Sequence, residues 1–187
     1  MATVFDKILD TTTGPKSYDW YKRKVQSMTT PGARSLISQG KATLRPKYGV
    51  MNLFGYDPKH KDKLPYYDVF PLILPLEPAK GGFLGLNLHY LPQTLRAQFL
   101  DQLYDRTNNT KFDESTRFNV TYKMLKGLSG KPYFKACVKH YLTSQIRSSF
   151  AIVDSADWEI AIFLPTESFR KSSMENVWKE SRKKISG

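Results

Sequence analysis

Apolar positions along this chain follow two different spacings, and the switches between them mark out its elements. Tyr18, Tyr21, Val25 and Met28 fall three or four residues apart while Lys22, Arg23 and Lys24 face mostly elsewhere, which predicts a helix opened by Pro15 and running to about Met28. A second short helix is predicted from Pro31 to Ser38, stopped by Gly40. From about Lys47, Gly, Pro and Asp punctuate short runs of aromatic and branched residues, and strands are expected near Tyr48–Tyr56, Tyr66–Leu76 and Phe83–Tyr90. Asp57-Pro58 makes a turn, Lys59-His60-Lys61-Asp62-Lys63 an exposed basic loop, and Pro78 to Gly82 the join between the second and third strands. Pro71 and Pro75 cannot donate to a ladder, so the second strand is expected to lie at an edge or to bend there. In the third, Leu84, Leu86, Leu88 and Tyr90 alternate with Phe83, Gly85, Asn87 and His89, and the first set is expected to face the core.

Helical spacing returns at Pro92, after which Leu95, Phe99, Leu100 and Leu103 form an apolar stripe to about Tyr104. Beyond a loop from Asp105 to Asp113, a helix capped by Asp113 or Ser115 is expected to carry Phe118, Tyr122 and Leu125 on one face. Another, opened by Pro132, would bury Phe134, Val138, Tyr141 and Leu142 and repeat Lys131, Lys135 and Lys139 at every fourth position on another side. An extended piece Phe150–Val153 leads to Asp154, read as the cap of a helix through Trp158, Ile162 and Phe163 that Pro165 ends. The last element is an amphipathic helix from about Ser173 to Ile185, apolar at Met174, Val177 and Trp178 and basic at Arg182, Lys183 and Lys184. The expected fold is α+β, a small curled antiparallel sheet or partial barrel at about residues 47–91 packed with several helices. Residues 1–14 are expected to form a mobile arm ahead of a single domain, 15–187, with a β-rich part at 47–91 and a helical part at 92–187.

Charge adds what spacing cannot show. The chain carries 29 Lys and Arg against 17 Asp and Glu, a formal net charge of +12. The surplus is concentrated between residues 116 and 150, which hold Arg117, Lys123, Lys126, Lys131, Lys135, Lys139 and Arg147 and not one carboxylate. Aromatic residues interleave with these cations, so the segment can fold rather than trail as a basic tail. Such a field attracts a polyanion, and for a folded basic protein the expected partner is double-stranded DNA, held through its phosphates without sequence specificity. The candidate contacts are Lys22, Arg23 and Lys24, the loop residues Lys59, Lys61 and Lys63, and Lys123, Lys126, Lys131, Lys135, Lys139 and Arg147. A solvated surface is the alternative for each cluster taken alone, and contact with acidic protein neighbours in an assembly is the alternative for all of them.

Catalytic chemistry finds little support. His60, His89, His140 and the single Cys137 have no zinc-like spacing, and one cysteine makes no disulfide within the chain. Cys137 is expected as a small buried residue on a helix face rather than a nucleophile with His140, for want of an orienting third group. The run Gly81-Gly82-Phe83-Leu84-Gly85 lacks the ending of a phosphate-binding loop, so its glycines are assigned to a tight turn and a bulge. Asp57, Asp62, Asp68 and Glu77 are the carboxylates from which a magnesium-dependent nuclease would have to be built, and turn or strand geometry already accounts for most of them. No cofactor, no metal and no enzymatic activity are expected. The longest apolar stretch, Val69 to Leu76, falls far short of the roughly 20 residues that cross a bilayer, so no membrane span is expected, and the opening residues lead one to expect no secretory signal.

Several passages carry a more specific resemblance. They are Tyr56-Asp57-Pro58-Lys59, Leu64 through Leu72, Gly82 through Pro92 with Arg96 after it, Tyr141–Thr143, Ala161 through Phe169, and Val177 through Arg182. Together these resemble a family of virion-associated proteins from T-even-like tailed phages, especially those of marine cyanobacteria, often labelled DNA end protector proteins. The resemblance implies a basic protein bound to the terminus of a packaged genome, found in the virion and, during assembly, in the host cytoplasm, with other virion proteins as neighbours. It brings no catalytic residues with it. A purely structural baseplate, tail or neck component is the alternative within the same setting.

Overall fold

The structure, a computed structural model, describes residues 18–27, 32–107, 123, 125–127, 135–154 and 157–186. Helices α1 (Tyr18–Gln26) and α2 (Ala33–Gln39) lead into strands β1 (Lys41–Thr43), β2 (Met51–Leu53), β3 (Tyr67–Asp68), β4 (Leu72–Ala79) and β5 (Gly82–Asn87). Helix α3 (Gln93–Thr107), β6 (Val138–Leu142), β7 (Phe150–Val153), the short helix α4 (Trp158–Ala161), β8 (Phe169–Arg170) and α5 (Met174–Ser186) complete the described elements. Six strands form one antiparallel sheet in the order β1-β7-β2-β4-β5-β6, and β3 pairs with β8 in a second, two-stranded sheet. The α+β class and the curled, open sheet agree with the expectation, although the sheet recruits strands from both sides of the 47–91 stretch.

The curl can be read from two rings. Phe150 on β7 and Phe83 on β5 are three strand steps apart, about 14 Å in a flat sheet, yet their ring centroids lie 6.1 Å apart. Phe54 fills the hollow between them, 4.7 Å from Phe150 and 5.4 Å from Tyr141. Tyr56, Ile73 and Ile152 complete this cluster on the concave face. Leu53, Leu72, Leu74, Leu86 and Val153 point to the other face, where α2, α3, α4 and α5 cover them with Leu36, Phe99, Leu100, Leu103, Ile160 and Val177. Both faces are therefore buried: Leu86, Leu88 and Tyr90 do belong to the main core, but Phe83, Asn87 and His89 on the opposite set are buried as well.

Several local expectations give way to pairing between distant segments. The helix expected after Pro132 is not formed at its C-terminal half, where Val138–Leu142 is a strand in register with Gly82–Leu86 of β5. Its apolar positions suit either period, and the β-forming Val138 and Tyr141 are settled by the open edge of β5. Lys131 lies outside the described residues, and Lys135 and Lys139 do not share a helical face. Cys137 is buried, as expected, but in a turn ahead of β6. The stretch Tyr66–Leu76 is two strands rather than one, and β4 is central in the sheet, not an edge; it accommodates Pro75 through a register shift between Pro75 and Glu77. The β4–β5 join is the tight step Lys80-Gly81, with Gly81 at φ 74. Asp154 does not cap α4: the N-cap is Asp157, and the Asp154 carboxylate accepts from Lys41 at 2.6 Å. The expected arm at 1–14 lies outside the described residues, as does most of the helix expected after Asp113, of which Lys123 and residues 125–127 are described and helical.

Candidate functional site

A cleft runs along the side of the curled sheet, divided by Tyr56 and Tyr67, which line both of its halves. Each wall has a local cause. Tyr56 is pinned by its amide to Val69 O and by its hydroxyl, which accepts from the Leu142 amide at 3.0 Å. Tyr67 is held on β3 directly opposite Arg170 of β8. Asp68, the next residue, is buried beneath them and takes four hydrogen bonds, from His89 Nδ1 at 2.7 Å, Asn87 Nδ2 at 3.1 Å, and the amides of Phe70 at 3.1 Å and Ser168 at 3.3 Å. Burial alone would raise its carboxyl, but the charge of His89 and these donors outweigh that and hold it below the usual carboxylate range. His89 Nε2 in turn lies 2.8 Å from Thr166 Oγ1. The Asp68–His89–Thr166 series has the connectivity of a hydrolytic triad, but all three residues are buried, and it ties β3 to the segment before β8.

The first half of the cleft, about 520 Å³, is lined by three guanidinium groups from three separate elements: Arg34 on α2, Arg147 before β7 and Arg170 on β8. All three are exposed. Arg34 sits 5.7 Å from the centroid of the Phe70 ring. Arg147 is held in place by Ser144 O, Ile146 O and Gln145 Oε1. Among the described residues none of the three pairs with a carboxylate, and the one carboxylate on this lining, Asp57, is paired with Lys61 at 2.9 Å. The second half, about 310 Å³, is walled by Tyr56, Tyr66, Tyr67, Tyr90 and Tyr141 and holds Lys139 and Lys184. The cleft thus gathers five cations and six aromatic rings around two carboxylates that are already occupied.

The sequence-derived candidates fall in different places. Arg147 and Lys139 line the cleft. Lys59, Lys61 and Lys63 lie on a loop bordered by Pro58 and Leu64, which line its second half, so the loop forms a rim. Lys171, at a φ of 66, clamps that loop by donating to the carbonyls of Lys61, Asp62 and Leu64 at 2.6, 3.1 and 3.1 Å. Lys22, Arg23 and Lys24 on α1 are not on the lining, Lys123 and Lys135 are exposed elsewhere, and Lys126 pairs with Glu77 at 3.1 Å. Arg34 is a single charge in a mixed sequence and Arg170 one of an isolated basic pair with Lys171, so neither stands out as a cluster; Lys184 is visible only as part of a basic helix end.

The carboxylates considered for a nuclease do not converge: Asp57 pairs with Lys61, Asp68 with His89 and Glu77 with Lys126. Among the described residues no group of three or more His, Cys, Asp or Glu is placed to hold a metal ion. No described helix is long and apolar enough to cross a membrane.

Fold and cleft together define a class: a basic α+β protein whose curled sheet supports a cationic, tyrosine-walled cleft. The chain belongs to the family described as phage T4 terminal DNA protecting protein, whose model matches residues 6–181. The resemblance to phage DNA end protector proteins is confirmed by that match. No curated protein and no solved structure matches the chain.

Proposed function

We propose that this protein protects the terminus of a phage genome by occupying it, binding duplex DNA through phosphates without reading its sequence. Protection is by occlusion, with no chemical step: a protein seated on the end denies nucleases access. The observation that carries this reading is the convergence of Arg34, Arg147 and Arg170 on one groove where, among the described residues, the one lining carboxylate, Asp57, is paired with Lys61. Exposed guanidinium groups release phosphate counterions and can each donate to two phosphate oxygens, so three in one groove give both affinity and registry on a backbone. Lys59 and Lys63 extend the positive surface along the rim, and the family description supplies the setting, a DNA terminus of a phage. Other virion proteins are the neighbours this reading implies, with the virion and the infected cell as its locations.

The test is binding of the purified protein to a blunt linear duplex and to a closed circle of the same sequence, across a salt series with magnesium present. Tighter binding to the linear form, with no cleavage and with protection against an added exonuclease, is expected. Equal salt-sensitive binding to both would reduce the role to general DNA contact, and no binding to either would leave a structural virion part whose basic surface meets acidic protein.

A further inference from the structure

Lys139 is the cation whose position the phosphate groove does not explain. It projects from β6 opposite Gly85, into the second half of the cleft, with its ammonium 4.1 Å from the centroid of the Tyr90 ring. Burial first, then the charge of Lys184, lower its pKa to about 8. Two ammonium groups thus share a pocket of about 310 Å³ with five tyrosine rings. The other titratable groups near them are His140 at the rim, the buried thiol of Cys137 and Asp68 below, and Asp68 already receives four hydrogen bonds from within the protein. A mostly buried cation with a ring for its neighbour and a second cation beside it lacks an anion.

We propose that this pocket seats the terminal nucleotide of a DNA strand, its 5′-phosphate monoester bridging Lys139 and Lys184 and its sugar and base lying against the tyrosines. The proposal rests on the DNA-end reading and specifies which part of the end is recognised. A phosphate monoester carries about −1.5 to −2 charges at neutral pH, which matches two lysines, whereas each phosphodiester of an intact backbone carries one. The volume lies at the small end of ligand pockets, about 300–1,000 Å³, enough for one nucleotide and too little for a continuing duplex. Tyr66 and Tyr67, half-buried where the other three rings are buried, offer the surface for stacking, which tolerates any base.

The experiment compares duplexes blunt at one end and hairpin-closed at the other, the blunt end carrying either a 5′-phosphate or a 5′-hydroxyl, with a closed circle as reference. A second arm titrates the protein with thymidine 5′-monophosphate, thymidine and inorganic phosphate by calorimetry. Wild-type protein is expected to hold the 5′-phosphorylated end about tenfold more tightly than the hydroxyl end, and Lys139→Gln and, separately, Lys184→Gln to abolish that difference. The monophosphate should bind and the nucleoside and inorganic phosphate each bind far more weakly. Preference for ends over circles with equal affinity for both termini would overturn the pocket assignment and leave end protection standing. If linear and circular DNA bind alike, the DNA-end reading fails, and the calorimetric arm decides the pocket: saturable monophosphate binding lost in Lys139→Gln upholds a nucleotide site, and its absence overturns it. Lys184 is exposed, so its variant guards against loss of folding in the Lys139 variant.

Discussion

Replacing Arg34, Arg147 and Arg170 together with Gln tests the proposed phosphate contacts directly. Each guanidinium is exposed and, among the described residues, free of a carboxylate partner, so each can displace a counterion from DNA. One neutralised phosphate contributes about 0.9 to the slope of log affinity against log salt on duplex DNA, so losing three should flatten the slope by about 2.7. Over a fourfold rise in salt that difference amounts to roughly 40-fold in relative affinity. The assay is fluorescence anisotropy of a labelled blunt duplex at several salt concentrations for wild type and variant. Thermal melting of the free proteins serves as the control: Gln keeps the side-chain length, and surface changes of this kind usually stay within about 0.5 kcal/mol. A slope unchanged to within about one unit, with both proteins folded, would remove this groove from the binding surface.

Three further outcomes follow from the interior. A Cβ on Gly82 would lie 1.8 Å from the backbone carbonyl oxygen of Tyr141, which cannot swing aside, so Gly82→Ala should lower stability by more than about 3 kcal/mol in urea unfolding, whereas Gly32→Ala, which meets nothing within 4 Å, should be close to neutral. Arg96 is fully buried with its Nη2 2.5 Å from Glu167 Oε1, so Glu167→Gln should cost about 3–5 kcal/mol by leaving a buried charge without its counter-charge, and an equal melting temperature would refute the pairing. Burial would raise the carboxyls of Asp68 and Glu167, but their charged neighbours, His89 for Asp68 and Arg96 then His89 for Glu167, lower both on balance. The stability they contribute is therefore present above the unfolded-state values near 4 and is lost as pH falls through the lower folded-state values, so unfolding midpoints should drop below about pH 4 and a flat profile there would contradict the assignment.

Local rules served the helices better than the cleft. Pro92 marked the start of α3, and the three-four spacing of Met174, Val177 and Trp178 marked α5, because both signals are contained within one element. The β6 segment defeated the same rules: its apolar residues and its lysines repeat at helical distances, but the groups that satisfy its backbone belong to β5, more than fifty residues earlier in the chain. Pro75 left an edge or a bend open, and the structure takes the bend, since a bulge can absorb a proline in the middle of a sheet. The charge-rich stretch at 116–150 did point to Lys139 and Arg147. Its apparent helical face did not survive, and Arg34 and Arg170 join Arg147 only through tertiary packing. Asp68, His89 and Arg96 form the buried polar interior that positions the cleft, and no sequence rule separates them from the surface charges they outwardly resemble.

The protein's charges divide by what neutralises them, and that division connects the fold to the cleft. Arg96 is neutralised inside, by Glu167 and by the carbonyls of Leu91, Ile162 and His89, and Trp178 of α5 packs 5.6 Å from it while donating to His89 O. Asp68 and Thr166 meet on either side of His89, so the segment that reaches Arg170 and the strand that holds Tyr67 are fixed at their bases by one buried network. Lys171 then ties the rim loop to the same segment. These groups are spent on geometry. The cleft cations left without a carboxylate partner among the described residues, Arg34, Arg147, Arg170, Lys139 and Lys184, stand on the elements that this network and the curled sheet hold in place. Like charges gathered on a rigid wall repel one another whether or not anything is bound, and an anionic ligand relieves that repulsion without first having to order the site. A terminus that fits such a cleft gains from its fixed geometry, whereas a flexible basic surface would bind any stretch of backbone equally well.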